Sequence, residues 1–134
     1  MKLGLLLASS PERPELTLVY RQTIRSLQAK DDVYLYLIDD GVKTLDCPEI
    51  EELRKKGVKL FACAYGAKKR GIPWDSEKAV FSGLTVLVDM IAGCDRFLAY
   101  TPLGNSPESG APKHTHSLPR TLVTIEANGF SIIY

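Results

Sequence analysis

The sequence predicts an α/β domain with three layers, α/β/α, built on a mainly parallel sheet of about five strands and ending in a C-terminal β-hairpin. Three observations point there. Residues 2–8 form an unbroken apolar run, as expected of a strand covered on both faces. Strand-like runs then alternate with segments of helical period, the pattern of right-handed βαβ units. Finally, Asn128-Gly129 joins two short runs of strand character, the strongest local hairpin signal.

The elements follow in order. Over 14–28, Leu16, Val19, Tyr20, Ile24 and Leu27 share one helical face, with Arg21, Gln22, Arg25 and Gln28 off it. Residues 33–39 are β-branched and aromatic and predict the second strand, ended by Asp40-Gly41. Asp46-Cys47-Pro48-Glu49 fits a capping box with Asp46 as N-cap. The short helix beyond it carries Ile50 and Leu53 inward and stops at Gly57. Residues 58–63 predict the third strand, and 64–75 an irregular stretch or one helical turn. From Asp75 or Ser76 a long helix is expected to about residue 92, with Val80, Leu84, Leu87, Val88 and Ile91 as its apolar face. Residues 95–100 give a fourth strand. The whole chain is expected to be one domain: an α/β core over 1–100, a loop over 101–119 and a hairpin over 120–134. In that hairpin a two-residue Asn128-Gly129 loop would set Ala127 opposite Phe130, Ile125 opposite Ile132 and Val123 opposite Tyr134. Ile133, on its more polar side, suggests a subunit contact.

Bulk properties exclude several functions. The 134 residues are 45% hydrophobic and 25% charged with a net charge of +1, so no basic surface for nucleic acid is expected. No segment approaches the ~18 apolar residues of a membrane span. The apolar start imitates a short signal peptide, but Pro11-Glu12-Arg13-Pro14-Glu15 follows where a small-residue cleavage site belongs. Three cysteines, Cys47, Cys63 and Cys94, are an odd number at wide spacing, which suits free thiols in a reducing, cytoplasmic setting.

In open parallel sheets, ligands bind beyond the carboxyl ends of the strands. Those ends carry Ser9 and Ser10, Asp39 and Asp40, Cys63 and Tyr65, and Thr101. Cys63 is the one strong nucleophile among them. It lies where a strand meets a loop or helix start, and Lys68, Lys69 and Arg70 follow it, a setting that favours a thiolate. It is expected at the mouth of a pocket, although an inert thiol at the end of a hydrophobic strand is the competing reading.

Gly57-Val58, Cys63 five residues on, and then Ala67, Arg70, Gly71 and Ile72 together resemble the cysteine segment of the DsrE/DsrF-like family, which includes TusBCD-type sulfur-relay subunits. Asp40-Gly41-Val42 and Gly93-Cys94-Asp95-Arg96-Phe97 fall in the family's order, so the resemblance covers about residues 2–100. It implies that Cys63 occupies the sulfur-accepting position, with Arg70, Tyr65, Gly66, Ser9 and Asp39 as supporting residues. Gly66 stands where many relatives carry a serine. The resemblance further implies a persulfide passed between protein cysteines with neither organic cofactor nor metal, and a homo-oligomer, trimer or hexamer, with a protein sulfur donor and acceptor. Some relatives lack the cysteine and act as structural subunits.

Other signals carry less. Cys47, in a helix's first turn, is expected to have a lowered pKa and is either a second relay thiol or a filler. Cys94 reads as core. His114 and His116 have no acidic or sulfur partner nearby in sequence. Asp39 and Asp40 point in opposite directions if the strand continues, so they form no acid–base pair. Trp74 would line a pocket, meet a subunit or cover the core. A nucleotide-binding reading is the weakest, because the first turn lacks glycine and carries Glu12 and Glu15 where a phosphate would sit.

Overall fold

A computed structural model describes residues 1–102, together with the strand backbones at 122–126 and 129–133. Its strands are β1 (Lys2–Leu7), β2 (Asp32–Leu37), β3 (Lys59–Cys63), β4 (Val80–Ser82), β5 (Arg96–Tyr100), β6 (Leu122–Glu126) and β7 (Gly129–Ile133). The α-helices are α1 (Glu15–Gln28), α2 (Pro48–Lys55), α3 (Ala64–Lys69) and α4 (Leu84–Gly93), with a 3-10 helix over Asp39–Asp46.

The strands form one sheet in the order β4-β3-β2-β1-β5-β6-β7. Its first five members are parallel, with helices on both faces, and β6 and β7 continue it antiparallel. The predicted fold class is the observed one. The apolar run that predicts β1 is explained by its central place: it pairs with β2 on one side and β5 on the other, and Leu3, Leu5 and Leu7 are buried. Helix α1 buries Leu16 and Val19, and its Tyr20 hydroxyl donates to Glu52 on α2 at 2.7 Å.

Three local expectations are corrected. The long helix from residue 75 or 76 is instead a turn, the three-residue edge strand β4 and the shorter helix α4. Val80 pairs with Phe61 and Ser82 with Cys63, so a sheet edge claims residues whose spacing also suits a helix. Most of the expected apolar face is consequently uncovered: Val80, Leu84 and Val88 are exposed, while Met90 is the buried residue of α4.

The capping box does not form. Cys47, not Asp46, is the N-cap of α2, and Asp46 is turned outward to an ion pair with Lys78. The hairpin register is also two residues away from the expected one, with Ile125 opposite Phe130 and Val123 opposite Ile132. Its first strand pairs with β5, so the hairpin extends the domain's own sheet. The histidines and most of the 101–119 loop lie outside the described residues.

The strand order reverses between β1 and β5, which makes that crevice the switch point of the sheet. Cys63 ends β3, two strands away. Among the described residues no helix is long and apolar enough to cross a membrane.

Candidate functional site

Cys63 is the last residue of β3 and the N-cap of α3. Its backbone is extended, as an N-cap requires, and its side chain does what a cap does: Sγ accepts the Gly66 backbone N–H at 3.3 Å. A donor aimed at sulfur holds an anionic sulfur more strongly than a neutral one. Helix α3 has only six residues, so this single N–H, rather than a long helix dipole, is what reaches the sulfur.

The thiol is 6% exposed and lines neither of the two cavities described below. A Cβ built on Gly66 would rest 3.6 Å from Cys63 Sγ, an ordinary contact, so a side chain fits at that position. Tyr65 is 72% exposed, in contrast to the covered sulfur.

Arg70 folds back over α3. Its Nε donates to Asp40 Oδ1 at 2.9 Å and its Nη1 to the Gly66 carbonyl at 3.2 Å. The guanidinium thus ties the cysteine turn to the 3-10 helix, and its charge is engaged by a carboxylate. Arg70 holds the Asp40 carboxyl below its usual range, and Lys43, 3.5 Å from the same oxygen, works in the same direction. Lys68 and Lys69 are exposed at the end of α3.

Of the two adjacent aspartates, it is Asp40 that meets the site. Asp39 adopts a left-handed backbone, φ 52°, and serves the turn. The turn is tight because Gly41 lies against the end of β1: a Cβ there would sit 2.0 Å from the Leu7 carbonyl oxygen. Ser9, at the end of β1, is buried and its hydroxyl has no partner among the described residues; the same holds for the Thr101 hydroxyl at the end of β5. These two mark the switch point, while Cys63, Gly66, Arg70 and Asp40 form a separate group on the β3 side.

Two further residues near Cys63 escape sequence reasoning. Tyr36, on β2, is fully buried, and its hydroxyl donates toward the carbonyls of Ser82 at 3.2 Å and Gly83 at 3.1 Å. Ser82 is the direct strand partner of Cys63, and its buried hydroxyl has no partner among the described residues. Neither is visible until strand register is known, and the helical reading of residue 82 hides the second.

The other thiols differ. Burial pushes the Cys47 thiol up, and Glu49 and Asp46 push it further, against the expected lowering; an N-cap beside two carboxylates gains nothing from the helix end. Burial likewise pushes Cys94 up. Cys94 lines a cavity of about 250 Å³ with Phe61, Met90 and Tyr34 under α4. Trp74 stacks on Phe81 with ring centroids 6.5 Å apart, donates to the Ala64 carbonyl at 3.0 Å, and lines a cleft with Lys68, Ile72 and Pro73.

A parallel-sheet α/β domain with a hydrogen-bonded thiol at its carboxyl edge defines a class of small cysteine-bearing domains. Residues 1–100 match the DsrE/DsrF-like family, and the chain belongs to it. Among solved structures it is similar to the ychN protein from E. coli, with a TM-score of 0.61 and 18% identity over 72% of this chain and 97% of that one, a likeness of fold. No curated protein matches the chain.

Proposed function

We propose that this protein is a sulfurtransferase-type sulfur carrier that accepts sulfane sulfur on Cys63 and passes it on as a persulfide. The Cys63 thiolate attacks the outer sulfur of a donor persulfide. A new S–S bond forms at Cys63, the donor's S–S bond breaks, and its electron pair leaves on the donor thiolate, which takes up the proton Cys63 released. The exchange needs no external oxidant or reductant. The observation that carries this reading is the Gly66 N–H held 3.3 Å from Cys63 Sγ. Family membership supports it, and the three free cysteines suit a reducing, cytoplasmic setting.

The test is intact-protein mass spectrometry after incubation with glutathione persulfide. The wild type is expected to gain one sulfur, mapped to Cys63, and Cys63→Ser to gain none there. Equal loading of both proteins would overturn the assignment.

The low exposure of Cys63 favours a second reading, a non-catalytic assembly subunit in which the thiol is structural. That reading expects native Cys63 to resist both alkylation and sulfur loading while Cys63→Ser loses stability.

We further propose a homo-oligomer, trimer or hexamer, that exchanges sulfur with protein donors and acceptors. Leu84 and Val88, one turn apart on α4 and 55% and 62% exposed, supply an uncovered apolar face. Val88→Asp is expected to lower the mass measured by light scattering; an unchanged mass would exclude this face from assembly.

A further inference from the structure

A buried sulfur anion is costly unless donors surround it, and the relay reading alone supplies Cys63 with one, the Gly66 N–H. Two hydroxyls, those of Ser82 and Tyr36, belong to the same sheet face. In the parallel β3–β4 ladder Ser82 stands directly opposite Cys63, so both side chains leave the sheet on the same face. The Ser82 hydroxyl is buried and makes no hydrogen bond among the described residues, so its donor is free to turn toward a neighbouring acceptor. Tyr36 stands opposite Phe61, two residues before Cys63, and so belongs to that face as well.

The Tyr36 hydroxyl has one proton and two carbonyls within reach, those of Ser82 and Gly83. Turning that proton toward an anionic sulfur exchanges a shared neutral bond for a charge-assisted one. The phenol stays protonated at neutral pH, because burial pushes it above its usual range; the bond to Ser82 opposes that, and the neighbouring Cys63 adds to it.

We propose that the hydroxyls of Tyr36 and Ser82 join the Gly66 N–H as a three-donor cradle for the anionic sulfur that Cys63 carries. The three donors come from β2, β4 and α3, so only the assembled sheet edge makes the cradle. It rests on the relay reading and deepens it: Tyr36 and Ser82 are the groups that hold the loaded state.

The experiment loads the wild type, Tyr36→Phe and Ser82→Ala with glutathione persulfide and follows the Cys63 persulfide by mass spectrometry. Melting temperatures control for folding. Tyr36→Phe is expected to shorten the persulfide half-life about tenfold, the value of one charge-assisted hydrogen bond, and Ser82→Ala about threefold. In the wild type, the ¹³C resonance of the hydroxyl-bearing ring carbon of Tyr36 should shift on loading, a signature that a purely structural tyrosine would not give. This second measurement decides the matter if either variant misfolds. A wild type that loads with its Tyr36 resonance unmoved, or a folded Tyr36→Phe that keeps its sulfur as long as the wild type, overturns the cradle alone. A wild type that takes up no sulfur overturns the relay reading and the cradle together.

Discussion

Cys63 and Cys94 are equally buried, at 6% and 5% exposure, but they occupy opposite ends of the sheet and meet different surroundings. Cys63 closes β3 at the carboxyl edge, with a backbone N–H on its sulfur, two hydroxyls beside it and the Arg70–Asp40 pair across the turn. Cys94 sits at the amino edge, close to the Phe97 ring, in the wall of a largely apolar cavity. Burial therefore does not distinguish these two thiols. The donors around the sulfur do, and they collect where strands end and unpaired backbone groups are free to turn toward a side chain.

The largest test of this contrast is steric. Gly41→Ala puts a Cβ 2.0 Å from the Leu7 carbonyl oxygen, backbone in the central strand that cannot step aside. A loss of about 3 kcal/mol is expected in urea unfolding. At the other end, Gly4→Ala meets the Phe97 ring at 2.7 Å and Cys94 Sγ at 3.1 Å, side chains with some room to shift, and about 1–2 kcal/mol is expected. A reversed order would mean that the carboxyl edge is the looser of the two.

Next comes chemistry. Alkylation at limiting reagent should label Cys63 ahead of Cys94 by about tenfold, as one charge-assisted hydrogen bond on the attacking sulfur would give. Peptide mapping reads the ratio, and preferential labelling of Cys94 would remove the contrast.

A subtler difference concerns alkaline pH. The Cys94 thiol is raised by burial, so its neutral form is favoured in the folded state. That contribution to stability is complete below the unfolded value of about 8.5 and is lost as pH rises above it, because the unfolded chain ionises first. Melting curves between about pH 8 and 10 should fall less steeply for Cys94→Ala than for the wild type; parallel curves would contradict it.

The smallest effect belongs to Asp40. Its carboxyl is lowered by Arg70, so its contribution is present above the unfolded value of about 3.9 and lost as pH falls through the lower folded one. The carboxylate is 47% exposed, so at most about 1 kcal/mol is expected from Asp40→Asn at neutral pH, vanishing in acid. A loss that persists in acid would point to a steric role for the residue.

Much of the fold was legible because periodicity reports burial directly. The run at 2–8 marks a strand flanked on both sides by parallel neighbours, and the face with Leu16 and Val19 marks the side of α1 that meets the sheet. The region from 75 to 93 was not, since Val80, Leu84 and Val88 recur at helical spacing while β4 is fixed by pairing with β3, a contact nonlocal in sequence. The hairpin shows the same limit: Asn128-Gly129 announces a reversal, but the ladder that sets Glu126 opposite Gly129 decides its register.

By itself, the sequence determined an α/β domain on a parallel sheet and the cysteine that ends its third strand, because both follow from local alternation and from the order of elements along the chain. Only the tertiary structure decided what surrounds that cysteine. Gly66 is near in sequence, but Asp40, Tyr36 and Ser82 come from three other segments, and a strand's neighbours are chosen by long-range pairing that no window of sequence contains.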